Sequence, residues 1–316
     1  MTMSRRQRDV VVLGEALWDV YPVDAHSSIR TRRHEQRCLG GAPANVAVTL
    51  ARLGLDVGMI AAVGDDPLGE GLRDELASAG VDTTHVSTVR ARTGVTWVEL
   101  GGSAPRYVPF RSPSADMLLD AGAIPTTIST RWIHVGSSSF ASQGSAAATR
   151  LALSRAAAKV SVDLNVYRHL WPKGVRIVDA LADLLATAAM VKASEADLVA
   201  LGLDEGGLRS LRREHLTIIT RAERGATAHW GESTFEHRPA HLEPAVDPVG
   251  AGDAFMAGVL AVLVRHPEAE RAALVSHALE LGGGLGARAV TALGATTALV
   301  DLGSERRALA RKPALR

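Results

Sequence analysis

Short runs of consecutive apolar residues alternate with longer stretches of helical period along nearly the whole chain, and this alternation restricts the fold more than any other feature. A strand that is apolar at successive positions, as at 10–13, offers no face to water and must lie in a sheet covered on both sides. Similar runs occur at 58–63, 131–135, 160–164, 190–192 and 216–219. Between them, 68–79, 145–159 and 175–188 carry helical period, the first with Leu68, Leu72 and Leu76 on one stripe. Such a succession predicts an α/β fold: a doubly wound, mostly parallel central sheet flanked by helices. Two segments break the pattern. Residues 21–39, and 94–110 with Val95, Trp97 and Glu99 followed by 106–110, read as strands outside the main sheet. They predict a small β lid built from insertions at about 20–39 and 94–112, on one domain covering 1–316.

The charge balance limits the partners. Lys plus Arg number 35 against 34 Asp plus Glu, so a formal net charge of +1 supplies no broad field for nucleic acid or an anionic membrane. Any anion must be held locally, by small molecules meeting a built site. Cys38 is the single cysteine and cannot form an internal disulfide, which suits a reducing compartment. The basic start at 1–9 runs into a strand and not into a signal-peptide core. The longest apolar run, 254–264, is far below the roughly 20 residues of a membrane span and reads as a buried helix. A cytoplasmic location is the expectation.

The strongest local signal is Gly250-Ala251-Gly252-Asp253, which runs directly into an apolar helix. A helix start presents free backbone N–H groups and a positive dipole end, and residues with little side chain let a phosphate approach them. A carboxylate beside that phosphate is repelled unless it has a proton to accept or a cation to share. Asp253 therefore suits a general base in phosphoryl transfer, where the substrate oxygen attacks and the protein positions it and stabilises charge. Read alone, Asp253 serves equally well as a helix cap.

Asp247-Pro248-Val249-Gly250-Ala251-Gly252-Asp253 resembles the second signature of the ribokinase-like (PfkB-type) carbohydrate kinases. Gly40-Gly41-Ala42-Pro43-Ala44-Asn45-Val46-Ala47 resembles the first, in the expected order. Gly14-Glu15-Ala16 through Asp19, Gly64-Asp65-Asp66-Pro67-Leu68-Gly69, Asp163-Leu164-Asn165 with Arg168 and Trp171, and 220–225 extend the likeness over nearly the whole chain. The resemblance implies that Asp253 is the base, that the amides of Gly250, Ala251 and Gly252 form an anion hole, and that Asp247 helps hold a monovalent cation, K⁺. It places ATP against Ser194, Thr220, Arg221 and Gly225 and in the region before Gly294, with Mg²⁺ bridging the phosphates through water. It puts the sugar against Asp19 and Asn45, with Gly41 leaving room. Helix-terminal and turn roles remain open for Asn45 and Asp247 on residue type alone.

Phe110-Arg111 with Ala115-Asp116 is similar to a segment of the fructokinase and 2-keto-3-deoxygluconate kinase branches, where Arg contacts substrate; Arg168 is similar in the same way. The resemblance thus implies a sugar kinase using ATP and Mg²⁺, with fructokinase preferred over 2-keto-3-deoxygluconate kinase, ribokinase or nucleoside kinase, and a homodimer through the lid. A sugar-binding regulatory protein without turnover is the reading from another class.

Two departures bear on it. Where the family usually has Asn-x-x-Glu to organise the magnesium waters, this chain has Ser194-Glu195-Ala196-Asp197, leaving Asp197 as the magnesium-water residue. Ala222 stands where glycine is usual. Other motifs carry less. Gly282-Gly283-Gly284-Leu285-Gly286-Ala287 neither follows a strand nor opens a crossover unit, and reads as close helix packing. His237 and His241 flank Pro239 and lack a third ligand, and Arg5, Arg6 and Arg8 read as a solvated tail.

Overall fold

A computed structural model describes residues 7–23, 29–100, 105–212, 214–239 and 245–314. Arg5, Arg6 and His241, with positions 24–28 and 101–104 of the predicted insertions, lie outside the described residues. The strands in chain order are β1 (Arg8–Leu13), β2 (Leu17–Pro22), β3 (Glu35–Gly40), β4 (Val57–Gly64), β5 (Asp82–Val89), β6 (Val95–Glu99), β7 (Arg106–Phe110), β8 (Thr130–Gly136), β9 (Lys159–Asp163), β10 (Met190–Ser194), β11 (Leu216–Thr220), β12 (Ala226–Trp230) and β13 (Ser233–His237). Nine of them form one sheet in the order β13-β12-β11-β10-β9-β8-β1-β4-β5. Pairing is parallel from β5 to β11 and antiparallel at β11/β12 and β12/β13.

The six apolar runs all become strands of this sheet, for the reason their composition gave. On β1, Val10 and Val12 enter one apolar cluster, with the helices Ala42–Arg52, Ala251–Arg265 and Arg271–Ala289. Val11 and Leu13 enter another, with Gln143–Arg155 and the short helices Ile177–Ala180 and Ala182–Thr187. Alternate side chains of one strand thus feed two cores, so apolar residues are favoured on both faces. The predicted helix at 175–188 is divided at Leu181, and the one at 145–159 stops at Arg155, since Lys159 already opens β9.

The longest apolar run lies in the buried helix Ala251–Arg265. Its partner Arg271–Ala289 crosses it at glycine: a Cβ on Gly258 would stand 2.8 Å from Gly282 Cα. Close helix packing therefore explains the glycine cluster there. No helix among the described residues is long and apolar enough to cross a membrane.

The second sheet has the order β3-β2-β6-β7, with β2/β6 parallel and the flanking pairs antiparallel. It contains both predicted insertions, and it also takes β2, which the sequence did not separate from the loop after β1. Asp19 consequently sits within a strand of the small sheet, facing the main one across the site.

Candidate active site

In the large sheet, the chain leaves β1 toward β4 and β5 on one side and returns to β8, β9, β10 and β11 on the other. An open sheet leaves a crevice outside the carboxyl ends of its strands where the winding reverses. A cavity of about 230 Å³ lies there, floored by Asp253, Lys192 and Gly252 and roofed by Asp19, Thr96, Tyr107 and Arg111.

At the floor, Gly250 takes a left-handed conformation (φ 80°) just before the helix Ala251–Arg265. No side chain fits, because a Cβ would come within 2.2 Å of Ala295 Cβ. This helix start has no side-chain cap, and Gly250, Gly252 and, in the first turn, Asp253 line the cavity. Asn45 Nδ2 donates to Asp253 Oδ2 at 2.8 Å, joining the two signature segments. Asn45 is itself placed by Gly41, whose φ of 95° lets the helix Ala42–Arg52 begin against the Glu15 carbonyl. Burial pushes the Asp253 carboxyl up to about 7, reinforced by Asp163, while Asn45 and Lys192 pull it back. Asp19 is also pushed up to about 7, first by burial and then by Asp253. The carboxylates are held at a proton affinity where uptake and release both occur near neutrality.

Asp247 is fully buried and ties the loop together: its Oδ1 accepts from Val249 N at 3.0 Å and its Oδ2 from Gly294 N at 2.9 Å. No basic side chain among the described residues pairs with it. A buried carboxylate without a counter-charge is a place a monovalent cation would fit.

Arg111 reaches the cavity wall with its guanidinium fixed by Asp116, Nε to Oδ2 at 2.9 Å and Nη2 to the same oxygen at 2.5 Å. Ser114 Oγ holds the other Asp116 oxygen at 2.6 Å. Arg168 is placed otherwise: it is exposed, it donates to the Val175 carbonyl at 3.3 Å, and its neighbours Tyr167 and His169 line the cavity instead. Trp171 is core.

The nucleotide candidates gather at the ends of β10 and β11. Ser194 and Asp197 form a capping box at the helix Glu195–Leu201, with Asp197 Oδ2 accepting from Ser194 N and Oγ, both at 2.7 Å. Its Oδ1 accepts from Val166 N at 2.6 Å, so the carboxylate cross-links two loops. Among the described residues no group of three or more His, Cys, Asp or Glu is arranged to hold a metal. Thr220 ends β11, and Arg221 pairs with Glu205 and donates to Thr227 Oγ1 at 2.7 Å. Gly225 has a φ of 89° and no room for a Cβ beside the His237 carbonyl. Ala222 keeps the left-handed backbone, φ 49°, that its unusual identity had put in question. The strain of order 1 kcal/mol is tolerated there.

The site also holds residues that motif reading did not assign. Glu15 accepts from Ser138 Oγ at 2.7 Å, and Lys192 Nζ donates to both oxygens of Asp163 at 2.8 Å.

Comparison with known proteins agrees with this geometry. The model of the pfkB family carbohydrate kinases matches residues 7–301. The chain belongs to that family. It is 38% identical over 299 residues to a fructokinase of Klebsiella pneumoniae, covering 91% of this chain and 95% of that one. A Vibrio cholerae fructokinase, solved with fructose, ADP and calcium, superposes with a TM-score of 0.84 at 28% identity over 95% of this chain and 98% of the other. A double mutant of that protein was solved with fructose, ADP and potassium. The aminoimidazole riboside kinase of Salmonella enterica, with its riboside and an ATP analogue, gives 0.82 at 29% identity over 95% and 99%. The α/β sugar-phosphotransferase reading of the sequence thus stands.

Proposed function

We propose that this chain is a fructokinase, transferring the γ-phosphoryl group of ATP to a hydroxymethyl group of fructose within one kinase domain that the small sheet lids. The observation that carries the reading is the Asn45–Asp253 contact at the uncapped helix start of Gly250, Ala251 and Gly252, in a chain 38% identical to a fructokinase. Asp253 takes the proton of the hydroxyl, whose oxygen bonds to the γ-phosphorus as the bond to the β-phosphate oxygen breaks and ADP leaves. The three amides meet the charge on the transferred group. Asn45 Oδ1 is buried without a partner and offers an acceptor to a sugar hydroxyl, while Asp19 and Arg111 supply further polar contacts from the roof. Arg168 completes the sugar side only if its loop turns inward when sugar binds.

ATP lies toward Ser194, Thr220, Arg221 and Gly225. Mg²⁺ travels with ATP and supplies charge neutralisation on the phosphates; Asp197, with both oxygens engaged, acts on its waters by shaping the loop. Asp247 suits potassium. The protein works in the cytoplasm, and a dimer through the lid is consistent with the exposed Phe110 of β7.

The test is ADP release with fructose, ribose, 2-keto-3-deoxygluconate and aminoimidazole riboside, for wild type and Asp253→Asn. Asn has the shape of Asp, and Asp253 makes no capping bond that the change would remove, so the variant is expected to fold, while loss of the base lowers turnover by roughly 100-fold or more. Fructose is expected to be the preferred acceptor. Unchanged turnover in the variant refutes the base, and sugar binding without ADP release makes the protein a sensor.

A further inference from the structure

Lys192 is a charged residue inside an otherwise apolar strand at the centre of the sheet. It is 4% exposed, and Asp163, at the end of neighbouring β9, is 2% exposed. Two fixed charges in so dry a place cost several kcal/mol to desolvate, and apolar residues of similar volume serve a core at least as well. A structural reason for the pair is therefore weak. Its position offers another: Lys192 Nζ lies 3.1 Å from where a Cβ on Gly252 would stand, against the residue that precedes Asp253.

We propose that the Lys192–Asp163 pair is a positioning element that sets the proton affinity of Asp253, with Lys192 cancelling the anionic surroundings that would otherwise keep the base protonated. This rests on the reading of Asp253 as the base. The groups facing Asp253 are mostly anionic or neutral: Asp163 from β9, Glu15 from the turn after β1, Asp19 from β2, and the phenols of Tyr107 and Tyr167. Arg111 stands opposite, its charge directed at Asp19, Asp116 and Glu15. Lys192 is thus the cation whose field bears on Asp253 itself. Its three N–H donors also explain why Asp163 does not attract the proton first: both Asp163 oxygens are occupied by the ammonium at 2.8 Å. Burial, and to a lesser degree Asp197, raise Asp163, and Lys192 opposes that rise.

The arrangement predicts opposite consequences for the two partners. Lys192→Met removes the cation and leaves the carboxylates, so the acid limb of the pH–rate profile, at saturating MgATP and fructose, moves to higher pH by about 1 to 3 units. Asp163→Asn keeps Lys192 and removes an anion, so the limb moves to lower pH. A pair that merely holds β9 to β10 would lower stability in both variants and leave the limb in place.

Should Lys192→Met not fold, the charge-free double variant Lys192→Met with Asp163→Leu keeps the question open to measurement. Because Asp163 bears on Asp253 more strongly than Lys192 does, its limb is expected below that of wild type, and a limb at or above the wild-type position overturns the proposal. Limbs that stay put, or that move in the same direction in the two single variants, overturn it as well. If Asp253→Asn is inactive while those limbs do not move, only the tuning role fails. If Asp253→Asn stays active, the base assignment fails instead.

Discussion

Replacing Asp19 by Asn should stabilise the protein at alkaline pH while weakening sugar binding. The carboxyl of Asp19 is buried in β2, and its proton affinity is raised from 3.8 to about 7 by burial and by Asp253. Between those values the folded protein holds a proton that the unfolded chain has lost, so stability falls as pH rises. The contribution is fully present below the unfolded value and gone above the folded one. Each unit of displacement corresponds to about 1.4 kcal/mol, so the charge costs about 1.5 kcal/mol at pH 5 and on the order of 4 kcal/mol above pH 7.5. Asn has the same shape and no charge, which matters because a Cβ on Gly40 would already lie 2.4 Å from Asp19 Oδ2. A chain of this size unfolds with an entropy near 0.7 kcal/mol/K, so Asp19→Asn should raise Tm by about 2 °C at pH 5 and about 6 °C at pH 8. Calorimetry at the two pH values, without ligand, reads the difference directly. The sugar KM should rise, since a buried acceptor of hydroxyl protons has become half donor. A Tm gain of the same size at both pH values would refute the electrostatic account and leave Asp19 as ordinary packing.

Other outcomes follow from the same geometry. Gly250→Ala places a Cβ against Ala295 in a left-handed backbone, so it should cost about 1–3 kcal/mol and reduce kcat more than it raises the sugar KM, as separate unfolding and rate measurements would show. Arg111→Lys gives up the two-pronged hold on Asp116 and should raise the fructose KM about tenfold with little change in the ATP KM. Exchanging potassium for a larger organic cation should lower turnover in wild type and leave Asp247→Asn insensitive; equal responses would separate Asp247 from the cation. Turnover of the wild type should fall as pH drops through about 7, because the base must be unprotonated, and Asp253→Asn should show no such limb in its residual rate.

What could be read in the sequence was what repeats a local rule. The six largely apolar runs became strands of the main sheet because two-sided burial restricts composition on both faces. β5 escaped notice because it is an edge strand: Asp82-Thr83-Thr84-His85-Val86-Ser87-Thr88-Val89 buries only Val86 fully and leaves the rest partly or fully exposed, where polar residues are tolerated. β12 and β13 extend the sheet antiparallel at its other edge, where water on one side of β13 permits Ser233, Thr234 and Glu236. The glycines of both signatures were legible for a different reason. Gly41 and Gly250 occupy backbone angles and spaces that no other residue can share, so the constraint is written at a single position.

The missed half of the site depended on residues far apart in the chain. Lys192 looks like an interruption in a strand until Asp163 is seen beside it, and neither explains the other without Gly252 above them. Arg168 shows the reverse error, in which a matching residue type turned outward while Tyr167 and His169 supplied the wall. Asp197 lies between the two cases. Its spacing from Ser194 fits a shortened metal motif and a capping box equally, and the bond from Val166 N commits its second oxygen to structure. A carboxylate with both oxygens occupied has few lone pairs left for water, so on the proposed reading a magnesium ion travelling with ATP would draw more on the phosphates themselves. On the same reading the amides of 250–252 would meet more of the charge on the transferred group, and Asp253, which takes the hydroxyl proton, is the residue whose protonation the rate would follow.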